Sequence, residues 1–166
     1  MTRLRPLYGW EIRNIATSDP EIAAFFKGVI AWDQIHLIKE CNFPATFILN
    51  SDNSDGKGEH WVLIFLTNKN LAIFFDSLSL PLQIYSDLFL ILLKKCQAVL
   101  IAPYRVQSLE SSACGYHTLF FLYLLKIFSP KEIFTDIYMK GRCEFNDFLA
   151  NFYLRHLLMQ SSHGAI

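Results

Sequence analysis

The chain of 166 residues carries no excess of either charge: 15 Lys and Arg stand against 15 Asp and Glu. A strong general pull toward nucleic acid or an anionic membrane is therefore not expected. Arg3, Arg5 and Arg13 are the one candidate for a small basic patch, against the alternative of an ordinary solvated N-terminus. Cysteine is sparse. The four present, Cys41, Cys96, Cys114 and Cys143, include no CxxC pair, which argues against a zinc ribbon and leaves no metal ligand set to propose. No signal-peptide pattern opens the chain, so reduced thiols in an intracellular setting are the expectation. Long apolar runs are missing too. The most apolar, Leu119 to Ile127, is interrupted by Lys126 and is too short to span a bilayer, so it reads as a buried helix and no membrane partner is expected.

What is abundant is apolar and aromatic: 52% hydrophobic residues, with 15 phenylalanines. A chain of this length can bury a sizeable core in one domain, taken as residues 1–166. Residues 1–18 show little periodicity. Ser18-Asp19-Pro20-Glu21 reads as a helix start, with a capping Ser or Asp, Pro in the first turn and an acid near the positive end. A short helix is expected over 20–27, ended by Gly28. Thr46–Leu49 favours a strand, and residues 50–59 form the clearest loop, Gly-rich and flexible in character. Strands follow at 60–67 and 71–76 around the turn Asn68-Lys69-Asn70. Pro81 opens a helix to about Lys95, Ala98–Ala102 and Arg105–Gln107 are candidate short strands, a helix begins at Cys114, and a last one covers 144–158 with Asn146 and Asp147 at its start. The sum is an α+β domain.

The segment Gln107–Leu122 carries the main clue to function. It sets Cys114 between a polar turn and a long apolar run, so a thiol heads a buried helix. A cysteine attacks as its thiolate, which backbone N–H groups at a helix start and a neighbouring imidazolium both favour. Gly115 would let the backbone approach a substrate carbonyl closely. Of the five histidines, His36, His117, His156 and His163 have bland settings, whereas His60 starts a strand directly after the loop. If 60–67 and 71–76 pair as a hairpin, Asp76 comes near His60 and can accept its Nδ1 proton, fixing the tautomer. Taken alone, Asp76 would read as the cap of the turn Ser77–Pro81. Gln107 stands seven positions before Cys114, where its amide could join the Cys114 N–H as an oxyanion donor.

The pieces Gly58-Glu59-His60-Trp61-Val62, Phe75-Asp76-Ser77 and Gln107 through Cys114-Gly115 together resemble the adenovirus-type (adenain-like) cysteine proteases, in that family's order of His, acid, Gln and Cys. The chain is similar, more closely still, to the proteases of Maverick/Polinton elements and adintoviruses, through Phe26-Lys27-Gly28-Val29 with Asp33, Asn50-Ser51-Asp52, Leu109 through Leu122, and Asn146-Asp147. The resemblance covers about residues 25–155. It implies a papain-like/adenain-like fold with the nucleophile's helix packed on a mixed sheet, His60 as general base, Cys114 as nucleophile, Asp76 as orienting acid (Glu in the adenovirus enzymes) and Gln107 as oxyanion donor. It implies hydrolysis of peptide bonds, at Gly-containing sites of capsid and core precursors, during particle maturation in the host nucleus or the virion. Trp61 is the candidate wall of a narrow substrate cleft. Adenovirus proteases are also activated by a short viral peptide, through a disulfide, and by DNA; Cys96, flanked by Lys94 and Lys95, falls close to where their peptide-linked cysteine lies.

Two other readings compete. Deubiquitinase-like and SUMO-protease-like enzymes share the order of the four residues, but they usually carry Asp before the nucleophile, where this chain has Ala113, and their Gln sits one residue closer. An inactive, domesticated domain that binds Gly-rich tails is the second.

Overall fold

The structure, a computed structural model, describes residues 4–163, with side chains through Met159. Arg3, the side chain of His163 and both extremes of the 1–166 domain span lie outside the described residues.

Five strands form one mixed sheet in sequential order: β1 (Phe26–Ile30), β2 (Ala45–Asn50), β3 (Trp61–Asn68), β4 (Leu71–Phe75) and β5 (Ala98–Ile101). The central pairs β2–β3 and β3–β4 are antiparallel, while β1 and β5 join the two sides in parallel. The expected hairpin is present, with Leu63 opposite Phe75, and Asn68 closes its turn by accepting from the Asn70 N–H at 2.8 Å. Alternation along the strands sorts side chains to two cores. Ile48, Leu63, Ile73 and Phe75 face helices α1 (Gly9–Ser18), α4 (Cys114–Leu124) and α6 (Cys143–His163). Phe47, Leu49, Val62, Ile64, Leu66, Ala72 and Phe74 face a 3-10 turn at Trp32–Lys39 and helix α3 (Ser86–Lys95). The α+β class is thus observed, with the cysteine-bearing helix against the sheet. Among the described residues no helix is long and apolar enough to cross a membrane.

Several local expectations change. Residues 9–18 are a helix whose buried Ile12, Ile15 and Ala16 follow i, i+3, i+4 spacing, with the Glu11 carboxylate accepting from the Tyr8 N–H at 2.9 Å. Asp19 caps the next helix as expected, accepting from the N–H groups of Glu21 and Ile22, but α2 (Pro20–Ala23) is only four residues long. Gly28 does not end it. Gly28 lies inside β1 at φ +141°, under the guanidinium of Arg13. Pro81 leads into a 3-10 turn, Leu82–Tyr85, before α3 begins. Arg105–Gln107 is not a strand: the N–H groups of Val106 and Gln107 both bond the carbonyl of Ser77, and no regular ladder continues from them. Between α4 and α6 lie a short turn, α5 (Pro130–Glu132), and a π turn at Ile133–Ile137.

Candidate active site

The hairpin delivers His60 and Asp76 to one end of the sheet. His60 is the last residue before β3, and Asp76 the first after β4. Both are buried, and the His60 Nε2 lies 2.7 Å from Asp76 Oδ1. The expected contact is therefore made, but through Nε2 rather than Nδ1. Asp76 is more than a partner for the imidazole. Its Oδ1 also accepts from the Leu78 N–H at 2.8 Å, and its Oδ2 accepts from the Leu80 N–H at 2.9 Å and the Tyr85 hydroxyl at 3.0 Å. The turn 76–80 wraps its amides around the carboxylate, and Ser79 takes a left-handed φ of 52° to do so. The turn-capping and imidazole-orienting roles of Asp76 coincide. Burial opposes its charge, yet the His60 bond and the turn amides outweigh it and hold the Asp76 pKa below the ordinary carboxylate value.

Cys114 is the first residue of α4, a helix buried on all sides except at Tyr116. Cys114 lies close enough to His60 to favour the charged form of the ring, whose Nε2 is taken by Asp76. Burial pulls the imidazole's pKa down, but the bonds and charges of Asp76 and Cys114 prevail and raise it to about 9. The balance favours the imidazolium form of His60 between Asp76 and Cys114. The amides of Cys114, Gly115 and Tyr116 precede the first bond of the helix, His117 N–H to the Ala113 carbonyl, so the positive end of α4 opens at the sulfur.

His60 is presented by a pinned loop rather than a flexible one. Asn50 Oδ1 accepts from the N–H groups of Asp52 (2.9 Å) and Glu59 (3.1 Å), Asp52 Oδ2 from that of Gly58, and Asp33 from both the N–H and the hydroxyl of Ser54. Gly58 needs its freedom: φ is +83°, and a Cβ would lie 3.1 Å from Asn50 Nδ2.

Gln107 is buried and locked at both ends of its amide. The Ser77 hydroxyl donates to Oε1 at 2.7 Å, and Nε2 donates to the Ser111 carbonyl at 2.9 Å. An amide nitrogen carries two N–H groups, so one remains beyond the Ser111 bond. Ser77 directly follows Asp76, which ties the Gln107 loop to the carboxylate's turn.

Trp61 and Gly115 have different surroundings from those expected. Trp61 follows His60 and Gly115 follows Cys114, and each packs on the N-terminal segment. The Trp61 indole donates to the Leu7 carbonyl at 3.0 Å. Gly115 is buried, and a Cβ there would lie 3.1 Å from Leu7 Cβ and 3.4 Å from Ile12 Cδ1. The close approach seen at Gly115 is to Leu7. The Cys96 thiol is buried against the Asn68 carbonyl at 3.4 Å, and burial raises its pKa in spite of Lys95. Arg5 pairs with Glu11 at 2.5 Å, and Arg13 lies on the Val29 carbonyl at 3.4 Å, so these two described arginines have separate protein partners. His36 and His156 are exposed, whereas His117 is fully buried between Asp147 and Tyr138. Tyr85, Asn50, Ser77 and Leu7 escaped the site reading from sequence. Only Asn50 left a local trace, as a polar residue closing a strand before a Gly-rich loop.

No protein-family model matches the chain, and no curated protein matches it in sequence. Solved structures do. The ASFV pS273R protease superposes with a TM-score of 0.52 at 20% identity, over 87% of this chain and 66% of that one, so the chain spans just under two thirds of that protein's length. The central domain of the uncharacterised Lpg1148 protein from Legionella pneumophila superposes with a TM-score of 0.55 at 13% identity, over 96% of this chain and 99% of that one. The α+β fold with its five-stranded mixed sheet is shared with these two structures, a viral protease of adenain-like fold and a bacterial domain of uncharacterised function.

Proposed function

We propose that the chain is a cysteine endopeptidase. One observation carries the proposal: a buried imidazole, His60, joins Asp76 through Nε2 at 2.7 Å beside Cys114, the first residue of a buried helix, which also favours the ring's charged form. Those are the parts of a nucleophilic dyad with its orienting acid. In the proposed reaction the Cys114 thiolate attacks the scissile carbonyl. The resulting oxyanion takes hydrogen bonds from the Gln107 amide and the Cys114 N–H. The His60 imidazolium then protonates the leaving amine, giving a thioester. Neutral His60 next removes a proton from water as it attacks the thioester, and collapse releases the carboxylic acid and restores the Cys114 thiolate beside the His60 imidazolium. Asp76 keeps the imidazole in place and stabilises its charge throughout.

The resemblance in sequence supports a narrower form of this reading. The substrates are capsid and core precursors of a virus or a Polinton-type element, cut at Gly-containing sites during particle maturation, in the host nucleus or the virion. An activating peptide and DNA belong to the same narrower form. Cys96 could form a disulfide with such a peptide only by leaving its place under the Asn68 carbonyl.

The test is a peptide library presented to the full chain, with and without DNA and with peptides from capsid proteins of candidate elements. Cleavage beside Gly that disappears in Cys114→Ala and falls by several orders of magnitude in a folded His60→Ala is the expected result. Iodoacetamide should label Cys114 rapidly near neutral pH, ahead of the other three cysteines. Even labelling of all four, with no cleavage of any peptide, would remove the peptidase reading in favour of a domain that only binds.

A further inference from the structure

Two buried histidine–aspartate pairs flank helix α4, and the proposed reaction uses only one. The other is His117 with Asp147. His117 Nε2 lies 2.8 Å from Asp147 Oδ1, and its Nδ1 lies 3.0 Å from the Tyr138 hydroxyl. Burial lowers the His117 pKa and prevails over the pull of Asp147, so the ring is neutral at ordinary pH. A neutral ring with a carboxylate on Nε2 must donate from Nε2, and its Nδ1 must accept the Tyr138 proton. With His117 at 0% exposure and Tyr138 at 3%, the imidazole itself is closed to solvent.

What the pair does touch is the loop that carries Gln107. Asp147 accepts from the Ser108 N–H, at 3.4 Å to Oδ1 and 3.3 Å to Oδ2. Its neighbour Asn146, fully buried, donates from Nδ2 to the Val106 carbonyl at 3.2 Å and to the Met139 carbonyl at 3.0 Å, and accepts from the Met139 N–H at 2.9 Å. The first turn of α6 thus grips the peptide groups on both sides of Gln107. It does so while bonded through His117 to α4, one turn below Cys114.

We propose that Asp147 is a positioning residue: with His117 and Asn146 it fixes the Gln107 loop relative to helix α4, and so sets the Gln107 amide at the oxyanion position beside Cys114. The proposal rests on the reading of Cys114 as nucleophile and Gln107 as oxyanion donor. It does not share that reading's evidence, because the grip on the loop exists whether or not the chain cuts peptides.

Amide hydrogen exchange and steady-state kinetics on the full chain separate the two. In Asp147→Ala the amides of Gln107 and Ser108 should exchange at least about tenfold faster, with β2 and β3 unchanged. On a peptide the wild type cleaves, kcat should fall by about 10- to 100-fold with KM altered by less than about threefold. Alkylation of Cys114 should keep its wild-type rate, because His60 and Asp76 are untouched. The double variant Asp147→Ala/Gln107→Ala should be no slower than Gln107→Ala alone. His117→Gln can donate to Asp147 and accept from Tyr138, and should restore both loop protection and kcat; His117→Leu should not. Asp147→Asn, which keeps one oxygen for Ser108, should give an intermediate exchange rate and serves if the alanine variant does not fold. Unchanged protection of Gln107 and Ser108 in a folded Asp147 variant overturns the proposal, as do losses that multiply in the double variant. A wild-type chain that cuts nothing, yet shows the exchange contrast, sinks the peptidase reading and leaves the grip on the loop standing.

Discussion

The rings of Phe75 and Phe121 stack face to face, with centroids 4.1 Å apart and planes 2° from parallel, and both are fully buried. Phe75 is the residue before Asp76. Phe121 lies two turns below Cys114. This one contact joins the strand that ends in the acid to the helix that begins with the thiol, and it sets the distance across which His60 must fit.

Phe121→Ala should therefore cost about 3–5 kcal/mol in equilibrium denaturation, the range for deleting a buried ring. The proposed activity should fall further than the remaining folded fraction explains. A variant whose activity simply tracks its folded fraction would show that the stack supports the fold without aligning the site.

The charges of the site predict a pH profile for stability. The folded-state pKa of His60, about 9, lies above its ordinary 6.5, so its contribution is complete below about 6.5 and lost as pH rises through about 9. Asp76 is shifted the other way, so its contribution is present above its ordinary 3.8 and lost as pH falls below that. Stability should be highest between about 4 and 6.5 and decline on the alkaline side to about 9. Asp76→Asn should flatten the alkaline decline and lower the midpoint of His60 in an NMR titration. A His60 midpoint unmoved by that substitution would show that Asp76 does not hold the imidazolium.

Gly115→Ala sets two effects against each other. Alanine gains about 1 kcal/mol over glycine in a helix. Its Cβ, however, would meet Leu7 Cβ at 3.1 Å, an atom fixed to backbone that cannot rotate away, and overpacking typically costs about 1–3 kcal/mol. The clash should win. A lower unfolding midpoint is expected, along with a blue or red shift in Trp61 fluorescence as the Leu7 segment lifts from the indole. A more stable alanine variant would mean that the segment yields easily.

Tyr85→Phe removes one of four donors to the Asp76 carboxylate. A hydrogen bond to a buried charged group is worth about 1–3 kcal/mol, so stability should drop by that order while the two turn amides and His60 keep the carboxylate in place. The proposed turnover should fall by less than about tenfold. A loss as deep as that of His60→Ala would give the Tyr85 hydroxyl a larger part than orientation.

Much of the frame is legible in the chain because it depends on near neighbours. The polar turn between two apolar runs gives the hairpin, and the hairpin brings residues 60 and 76 to one end whatever else the fold does. Asp19 and Pro20 mark a helix start through their own side chains. The helix at 9–18 is harder to read, although Ile12, Ile15 and Ala16 carry the right spacing, because exposed Trp10 and Arg13 blur the pattern. The start of the strand at 26–30 falls within the helix expected over 20–27 because a short apolar run has no decisive period, and Gly28 reads as a terminator unless the guanidinium beside it is known.

The sequence by itself determined the residue types of the site, their order, the hairpin that pairs His60 with Asp76, and the placing of Cys114 at the head of a buried helix. Each follows from spacing, turn chemistry or hydrophobic runs, which act over a few residues. Tertiary structure alone decided that Nε2 rather than Nδ1 meets Asp76, that Gly115 makes room for Leu7, that Gln107 is held by Ser77 and Ser111, and that His117 belongs to Asp147. These depend on how α4, α6 and the N-terminal segment are set against the sheet. That setting is fixed by close packing and by the need of every buried polar group for a partner, neither of which is written in the order of neighbouring residues.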